Sequence, residues 1–395
     1  MVEWNLTTIE SCTDILGDGL HGTPKYTENG DYAFVNGNNL NSGKIVVKTE
    51  TKRVSEQEFE KYRKPLTNKS ILVSINGTLG NVAVYNGEKI ILGKSACYFN
   101  VKESIDRDFL YYIVSAPTFK QYLESNATGT TIKNISLKQM REYTFQIPPY
   151  EEQKKISSFL KSIDMKIEKN QQINKNLEQQ AQAIFKSWFI DFEPFGGNMP
   201  NNWKNVSVYD LADYINGAAF KKNEYADTGL PIIKIAELKN GITDSTQHCC
   251  VKKDEKYYID DRDILFSWSG NPDTSIDTFI WSTGRAILNQ HTFRVVSKYD
   301  APAFTFFLLK YLKPQFTHIA SNKQTTGLGH VTVADLKRLQ FSANANVIAE
   351  FNALVMPIFD LIYSKYKEIQ QLSDLQDTLL PQLMSGELDI SAIDL

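Results

Sequence analysis

The chain has 395 residues, which is too long for one ordinary hydrophobic core and suits two or three domains. An apolar content of 42%, with 12% aromatic residues, is typical of folded proteins and argues against intrinsic disorder. The formal net charge of -3 argues against a strongly basic chain that binds nucleic acid unaided.

The charge is unevenly distributed along the chain. Residues 350–395 contain eight acidic residues against two lysines, a balance of -6, so the other residues together carry +3. This balance permits a basic face on the rest of the chain without proving one. If the chain binds DNA, we expect partner subunits to supply much of the attraction to phosphate groups.

The sequence predicts a cytoplasmic protein without membrane association. Cys12, Cys97, Cys249 and Cys250 lack the spacing of a disulfide framework, which is consistent with a reducing compartment. No uninterrupted run of 18 apolar residues occurs, and residues 1–4 do not begin like a signal peptide. No metal site is expected either, because the adjacent cysteines of His248-Cys249-Cys250 lack the separation of zinc ligands.

The first 149 residues, called module 1, alternate short apolar runs with turns. An aromatic-rich helical pattern at Asp108–Leu123 follows these runs, and a polar Thr/Gly-rich loop begins at Thr128. The runs are bounded by Gly, Asn and Asp and predict β-strands at Tyr32–Val35, Ile45–Val47, Ile71–Ile75, Asn81–Tyr85 and Ile90–Leu92.

The motif Ile147-Pro148-Pro149-Tyr150 resembles part of the active site of adenine-N6 methyltransferases. Those enzymes need an Asn or Asp before the prolines to accept a hydrogen bond from the target amino group, and isoleucine has no acceptor. We therefore interpret the prolines as a rigid, extended connection into a helix. Neither a Gly-rich cofactor loop nor a Walker-type phosphate loop occurs, which argues against catalysis by this chain.

A long helix is predicted at residues 150–190. A heptad pattern of this length is typical of a coiled coil, and about 35 residues span about 50 Å of helix. The alternative to a coiled coil is that this helix and the C-terminal helix are two ordinary amphipathic helices, each packed on its own domain. The predicted seam consists of apolar residues spaced alternately by four and three, with Asn170 and Asn174 in register: Ile156, Leu160, Ile163, Ile167, Leu177, Ala181 and Ile184.

Residues 191–345, called module 2, repeat the pattern of module 1. Strands are predicted at Pro231–Ile235, Ile264–Trp268 and Thr292–Val296, and a helix at Ala303–Phe316. A C-terminal helix and tail, residues 346–395, follow. Pro357 should kink this helix or mark its start near Met356. Its seam continues the heptad pattern at Phe351, Val355, Ile358, Ile362, Lys365, Ile369, Leu372, Gln376 and Leu379.

Matching motifs show that the chain contains an internal repeat. Their offset stays between 193 and 200 residues, and their order is the same in both halves. Two equal modules, each followed by an equal helix, suggest a pseudo-two-fold arrangement in which antiparallel helices hold the modules at opposite ends. The matches pair Trp4–Thr7 with Trp203–Ser207, Ile71–Gly77 with Ile264–Gly270, Ser125-Asn126 with Ser321-Asn322, and Asn134–Leu137 with His330–Val333.

Three segments carry a family resemblance: Ile147–Ile156 (IPPYEEQKKI), Ala181–Pro194 (AQAIFKSWFIDFEP) and Leu379–Leu388 (LLPQLMSGEL). They resemble the specificity subunits of type I restriction–modification systems, and the resemblance extends over the whole chain. It implies a mixed α/β fold with two target-recognition domains joined by two long antiparallel coiled-coil helices.

The resemblance also implies a division of labour. Each module would bind one half of a bipartite, asymmetric target in double-stranded DNA, and the helices would act as a spacer ruler. Two methyltransferase subunits would dock on the helices, and restriction subunits would complete the enzyme. S-adenosylmethionine, ATP and Mg would belong to those partners, so this chain would have no catalytic residue. The alternatives are a stand-alone DNA methyltransferase and a coiled-coil scaffold without a DNA role.

Candidate DNA-binding residues are polar or basic side chains of the loops, because such groups bind base edges and phosphates. For any one of them, a solvated turn is the alternative. In module 1 they are His21, Thr23, Lys25, Tyr26, Asn36, Asn38, Asn39, Asn76, Thr128, Thr130, Thr131, Lys133 and Asn134. In module 2 they are Lys221, Lys222, Trp268, Asn271, Asn289, Gln290, Asn322, Lys323, Gln324, Thr325, Thr326 and His330.

Four apolar residues near the helix ends are candidates for contact with a partner subunit: Trp188 and Phe189 on the first helix, and Leu383 and Met384 on the second. Packing against the chain's own second module is the alternative explanation for these side chains.

Overall fold

The computed structural model describes residues 4–129, 131–324 and 327–388. The chain divides into two compact units, Met1–Met165 with Asp374–Leu395, and Lys166–Ser373. Each unit contains one whole module together with parts of both long helices. The division lies inside those helices, because each module shares its apolar core with the helix turns beside it.

In module 1, the described residues form one four-stranded antiparallel sheet, one three-stranded mixed sheet and two strand pairs, together with five short helices and a 3-10 helix at Gly37–Asn39. The strands are β1 (Asn5–Thr8), β2 (Thr13–Asp18), β3 (Tyr32–Val35), β4 (Leu40–Asn41), β5 (Lys44–Ile45), β6 (Arg53–Val54), β7 (Ser70–Ser74), β8 (Val82–Val84), β9 (Ile90–Leu92), β10 (Ala96–Val101) and β11 (Thr144–Ile147). The helices are α1 (Ile9–Cys12), α2 (Glu56–Tyr62), α3 (Arg107–Ser115), α4 (Pro117–Asn126) and α5 (Leu137–Glu142), and the long helix α6 (Tyr150–Phe189) follows.

The main sheet of module 1 has the order β2-β10-β7-β8. All six residues of β10 are buried, because this strand is paired on both sides and covered on both faces. Beside this sheet, β3 pairs with β9 in parallel, and β1 pairs with β11. Phe99, Phe109 and Phe119 are buried in the core between the sheet and helices α3 and α4.

In module 2, the same kinds of element recur, with 3-10 helices at Glu193–Phe195, Val208–Leu211, Lys222–Glu224 and Glu255–Tyr257. The strands are β12 (Lys204–Ser207), β13 (Ala212–Asn216), β14 (Leu230–Ile233), β15 (His248–Cys249), β16 (Tyr258–Ile259), β17 (Ile264–Ser267), β18 (Ser269–Gly270), β19 (Asp277–Ile280), β20 (Ala286–Leu288), β21 (Thr292–Ser297), β22 (Gly329–His330) and β23 (Gln340–Ala343). The helices are α7 (Ile235–Asn240), α8 (Pro272–Ser275), α9 (Pro302–Tyr311), α10 (Lys313–Asn322) and α11 (Val333–Arg338), followed by the long helix α12 (Ala345–Ser385).

The strand order of module 2 confirms the internal repeat. Its main sheet has the order β13-β21-β17-β19, which matches β2-β10-β7-β8 strand for strand. The parallel pair β14 and β20 corresponds to β3 and β9, and the pair β12 and β23 corresponds to β1 and β11. The predicted mixed α/β fold with two repeated domains is therefore confirmed.

The two long helices pair in antiparallel fashion within each unit. In the first unit, Ile156 and Leu160 near the start of α6 share a core with Leu383 near the end of α12. In the second unit, Phe185 near the end of α6 packs against Phe351 near the start of α12, with ring centroids 5.6 Å apart. In each unit, one end of α6 thus packs against the opposite end of α12, as the predicted antiparallel pair requires.

The buried stripe of the helices differs in places from the predicted heptad seam. Ile156, Leu160 and Ile163 are buried, as are Val355 and Ile362. Ile184 and Ile358, however, are only half-buried. The neighbouring residues Phe185 and Phe359 are fully buried instead. The stripe runs Ala181, Phe185, Phe189 with spacings of four, because these turns pack on module 2 rather than on one partner helix alone. The remaining seam positions are half-buried: Ile167, Leu177, Ile369, Leu372 and Leu379.

Prolines shape three helices differently from the sequence expectation. Helix α12 begins at Ala345 and continues through Pro357, so a start near Met356 is wrong. The single helix predicted at Asp108–Leu123 is two, because Pro117 begins a new helix at α4. The helix predicted at Ala303–Phe316 is likewise divided into α9 and α10, with a proline in the first turn of each.

By length and composition, α12 is apolar enough to cross a membrane. The sequence expectation counted uninterrupted apolar runs and missed this helix, in which a few acidic residues are interspersed. Phe351, Val355 and Phe359 are each at most 1% exposed in the core of the second unit. Packing onto module 2 therefore buries one face of this helix, while 28% of its most apolar stretch is buried in all.

Candidate nucleic-acid interface

Several predicted DNA-binding residues of module 1 meet at one edge of its sheets. Strands β2 and β7 end at this edge, and the antiparallel β10 begins there. The parallel strands β3 and β9 end at the same edge, where the Gly93 amide donates a hydrogen bond to the Val35 carbonyl at 2.7 Å. The residues that follow these strand ends form what we call the polar edge of module 1: Asp18, His21, Asn36, Asn76, Ser95 and Asn134.

Hydrogen bonds between side chains hold this edge together. The Ser95 hydroxyl donates to Asn36 Oδ1 at 2.9 Å, and the Asn76 amide donates to Asn134 Oδ1 at 3.2 Å. His21 is paired with Asp18. A Cβ atom at Gly19 would lie 2.2 Å from the Gly93 carbonyl oxygen, so only glycine permits this close approach of two backbones. The segment after β2 and the segment after β9 therefore lie in direct backbone contact at this edge.

In module 2, the equivalent edge is built around Trp268. Its indole nitrogen donates to Asn216 Oδ1 at 3.2 Å, and its ring centroid lies 5.7 Å from that of His291 and 5.9 Å from that of His330. Ser269 Oγ and His330 Nδ1 are 2.9 Å apart. We call Asn216, Trp268, Ser269, His291 and His330 the polar edge of module 2. Its exposed imidazole and amide groups are of the kinds that bind bases and phosphates.

Sequence reasoning missed some members of both edges. Asp18, Ser95 and Asn216 were not among the predicted residues, whereas Ser269 and His291 lie in the polar loops 268–271 and 289–291 that the sequence indicated. Ser95 bonds to Asn36, Asn216 to Trp268 and Ser269 to His330, all more than 50 residues apart in the chain, so strand pairing is what brings these partners together. Asp18 differs, because its partner His21 lies three residues further along the chain. The repeat alignment gave one usable signal, since Ser269 matches the predicted Asn76.

The structure gives three predicted residues internal roles instead. The Asn39 side chain is 4% exposed and donates to the Val46 carbonyl and to Thr51. Asn271 Oδ1 accepts from two backbone amides and caps helix α8. Lys323 binds the buried Asp335 carboxylate at 2.5 Å. These side chains are satisfied within the protein, so the structure favours the turn alternative for them.

The Lys323–Asp335 pair also secures the Thr/Gly-rich loop of module 2. Asp335 accepts hydrogen bonds from the amide and hydroxyl of Thr332 at 2.8 and 2.7 Å. Burial alone would raise the pKa of Asp335, but the bonds from Lys323 and Thr332 outweigh burial and lower it. The carboxylate is therefore charged at neutral pH and holds both ends of the loop.

Most of the other predicted DNA-binding residues that the structure describes are exposed, and Asn289 is buried. Asn289 is 8% exposed and follows β20. Its backbone N–H donates to the Ile233 carbonyl at 2.9 Å. Thr130, Thr325 and Thr326 lie outside the described residues. The exposed ones are Thr23, Lys25, Tyr26, Asn38, Thr128, Thr131, Lys133, Lys221, Lys222, Gln290, Asn322 and Gln324.

The four candidate partner contacts lie largely within the chain itself. Phe189 is 3% exposed in the core of the second unit, and Trp188 is half-buried against the same core. Leu383 and Met384 are buried against module 1, at 0% and 8% exposure. Packing on the chain's own modules explains these side chains, and for Leu383 and Met384 the module is the first rather than the second.

Comparison with known proteins identifies the family. The profile described as "Type I restriction modification DNA specificity domain" matches residues 1–179 and 200–343, which include most of both modules. The chain belongs to this specificity family. Its role is therefore that of a DNA-recognition subunit in a type I restriction–modification system, as the sequence predicted.

Relatives of this specificity chain match it over most of its length. It is 24% identical to the type I restriction enzyme MjaIX specificity subunit of Methanocaldococcus jannaschii, over 99% of this chain and 95% of the relative. It is 22% identical to the HindI specificity subunit of Haemophilus influenzae, over 71% and 77%. The crystal structure of the S subunit from M. genitalium has a similar fold, with a TM-score of 0.57 at 18% identity, over 99% and 97% of the two chains.

Proposed function

We propose that this chain recognises a bipartite, asymmetric DNA target, and that each module binds one half of it through its polar edge. The observation that carries the proposal is the duplication of that edge, since both modules present polar side chains at the same strand ends. The side chains differ between the modules, which would make the two halves of the target different in sequence.

We further propose that the long helices bind two methyltransferase subunits and that restriction subunits complete the assembly. Leu354 and Leu361 lie seven residues apart on α12 and are 50% and 42% exposed, so they offer an apolar contact on one helix face. The distance between the modules along the helices would set the spacer of the target.

We also propose that the chain has no catalytic role and works in the cytoplasm without binding a membrane. Pro148 and Pro149 connect β11 to α6, and the Pro149 carbonyl accepts from the amides of Glu152 and Gln153 in the first turn. These contacts support the role as a helix connection that the sequence predicted for the two prolines. S-adenosylmethionine, ATP and Mg would be bound by the partner subunits.

Co-expression with the modification subunit of the same system tests the proposal. We expect a stable complex with two methyltransferase subunits per chain, and single-molecule sequencing of the host DNA should then show methylated adenine in both halves of one split motif. A chain that purifies alone and leaves the DNA unmarked would contradict the proposal and favour a coiled-coil scaffold.

Equilibrium dialysis of the isolated chain with S-adenosylmethionine tests the absence of a catalytic role. We expect no binding, because the sequence contains no Gly-rich loop suited to this cofactor. Tight binding by the isolated chain would favour the stand-alone methyltransferase instead.

A further inference from the structure

One pair of side chains occupies the same place in both modules. In module 1, Asn76 follows β7 and bridges to Asn134, while in module 2, Ser269 follows β17 and pairs with His330. The backbone next to each pair carries the same hydrogen bond: the Ile135 amide donates to Ile75 at 2.9 Å, and the Val331 amide donates to Trp268 at 2.8 Å. The two pairs are therefore structural equivalents.

The chemistry of the two pairs differs. In module 1, the Asn76 amide donates to Asn134 Oδ1, which leaves the Asn76 carbonyl oxygen as an acceptor and the Asn134 amide as a donor. An acceptor and a donor side by side match the N6 and N7 atoms of adenine in the major groove. In module 2, His330 Nδ1 is engaged with Ser269, and the imidazole keeps only Nε2 for an external bond.

The residue before each pair also differs. Ile75 is 4% exposed and belongs to the core of module 1. Its counterpart Trp268 is half-buried, and its ring lies among Phe293, His291 and His330. The Trp268 ring thus packs against His330. The equivalent residue of module 1, Ile75, is smaller and buried in the core. The same backbone frame therefore presents two different recognition surfaces.

We propose that Asn76–Asn134 and Ser269–His330 are equivalent specificity-determining pairs, each contacting bases in its own half of the DNA target. The difference between an amide pair and a hydroxyl–imidazole pair then makes the two half-sites differ at corresponding positions. This inference rests on the proposed function, because it assigns base contacts to a target that the modules share.

Exchanging the pairs between the modules tests the inference. The variants are S269N/H330N, which gives module 2 the amide pair, and N76S/N134H, which gives module 1 the hydroxyl–imidazole pair. Each is co-expressed with the methyltransferase subunit, and the methylated motif is read by single-molecule sequencing. H248N is the matched control, because His248 lies on β15 away from the polar edge.

We expect each exchange to change the permitted bases in one half of the motif only, with the other half and the spacer unchanged. In binding assays on duplexes with single base-pair changes, discrimination at the affected position should shift by tenfold to about a hundredfold. H248N should keep the wild-type motif. S269N/H330N and N76S/N134H must affect opposite halves.

Three results for the exchange variants would overturn the inference while leaving the proposed function intact. Unchanged motifs in both exchange variants would show that the pairs contact no base, and an equal loss of affinity for every duplex would show a purely structural role. A variant that changes both halves would contradict the assignment of one pair to one half-site. If the wild-type complex marks no split motif, the proposed function fails, and this inference fails with it.

Discussion

At the scale of single residues, Asp277 forms ion pairs with helices α9 and α10 of module 2, and one of these helices is paired in turn with the long helix α6. Its carboxylate binds Lys313 at 2.5 Å and Lys310 at 3.2 Å, and Lys310 also reaches Glu178 of α6 at 3.6 Å. Burial would raise the pKa of Asp277, but the two lysines outweigh burial and lower it. Removing the carboxylate takes this partner from Lys313 and leaves the mostly buried Lys310 with Glu178 alone, which costs more than the loss of one surface ion pair.

We expect D277N to lower the free energy of unfolding by about 2–4 kcal/mol at pH 7. Because the pKa is lowered in the folded state, this stabilisation is complete above the ordinary value of 3.8 and is lost as the pH falls through the folded-state value. The difference between D277N and the wild type should therefore be constant from pH 7 to pH 5 and shrink below pH 4.

Urea denaturation followed by tryptophan fluorescence measures this difference, since Trp188, Trp203, Trp268 and Trp281 all lie in the second unit. D227N, at an exposed aspartate of the same module, is the control and should change stability by less than about 0.5 kcal/mol. A difference for D277N that persists undiminished at pH 3 would rule out the charge pairing as its cause.

At the scale of elements, Phe185 is the residue that fixes α6 to module 2. Its ring lies 4.9 Å from Phe189, 5.6 Å from Phe351 and 5.8 Å from Phe341, between centroids, and it is fully buried. We expect F185A to lower the free energy of unfolding of the second unit by about 3–5 kcal/mol, because it leaves a cavity among aromatic rings.

The matched variant is I184A, which removes a half-buried side chain of the predicted seam. Urea denaturation should give a loss for I184A that is well below that for F185A. Equal losses would mean that the predicted heptad, rather than the observed stripe, describes the packing of these turns.

Asn174 gives α6 a polar interruption inside its buried stripe. It is 2% exposed, and among the described residues none forms a hydrogen bond with either polar atom of its amide. A buried amide without partners destabilises the folded state by about 1–3 kcal/mol. We expect N174L to raise the free energy of unfolding, as measured by urea denaturation, and the exposed neighbour variant K175L to leave it nearly unchanged. A destabilised N174L would show that the amide is engaged with solvent or sets the helix register.

The sequence predicted elements well where their pattern is local. The strands at 32–35 and 90–92 were located with the observed bounds, and the heptad spacing located both long helices. The all-buried β10 was missed, because a strand covered on both faces lacks the alternation that marks a half-buried one. The shift from Ile184 to Phe185 was missed as well, since it depends on which surface the helix meets.

At the scale of the whole molecule, the repeat carried the functional prediction. Matching motifs lie at matching strand ends, so the repeated polar segments around Asn76, Asn134 and His330 occupy equivalent places in the two modules. Residues such as Asn39 and Asn271 resemble them in sequence, yet their amides are satisfied by nearby backbone. A loop sequence alone does not distinguish these two uses of asparagine, because both depend on what lies within hydrogen-bonding distance.

The repeat leads to a prediction for the whole chain: replacing residues 5–147 with the first module of another specificity subunit should change one half of the methylated motif and keep the other. Module 1 shares its core with Ile156, Leu160 and Leu383 of the helices, so the incoming module must bring an apolar surface for these side chains. Single-molecule sequencing of host DNA reads the result, and replacing residues 201–345 should change the opposite half. A folded exchange chain that leaves the motif unchanged would contradict modular recognition, because a module without base contacts can be exchanged at no cost to specificity.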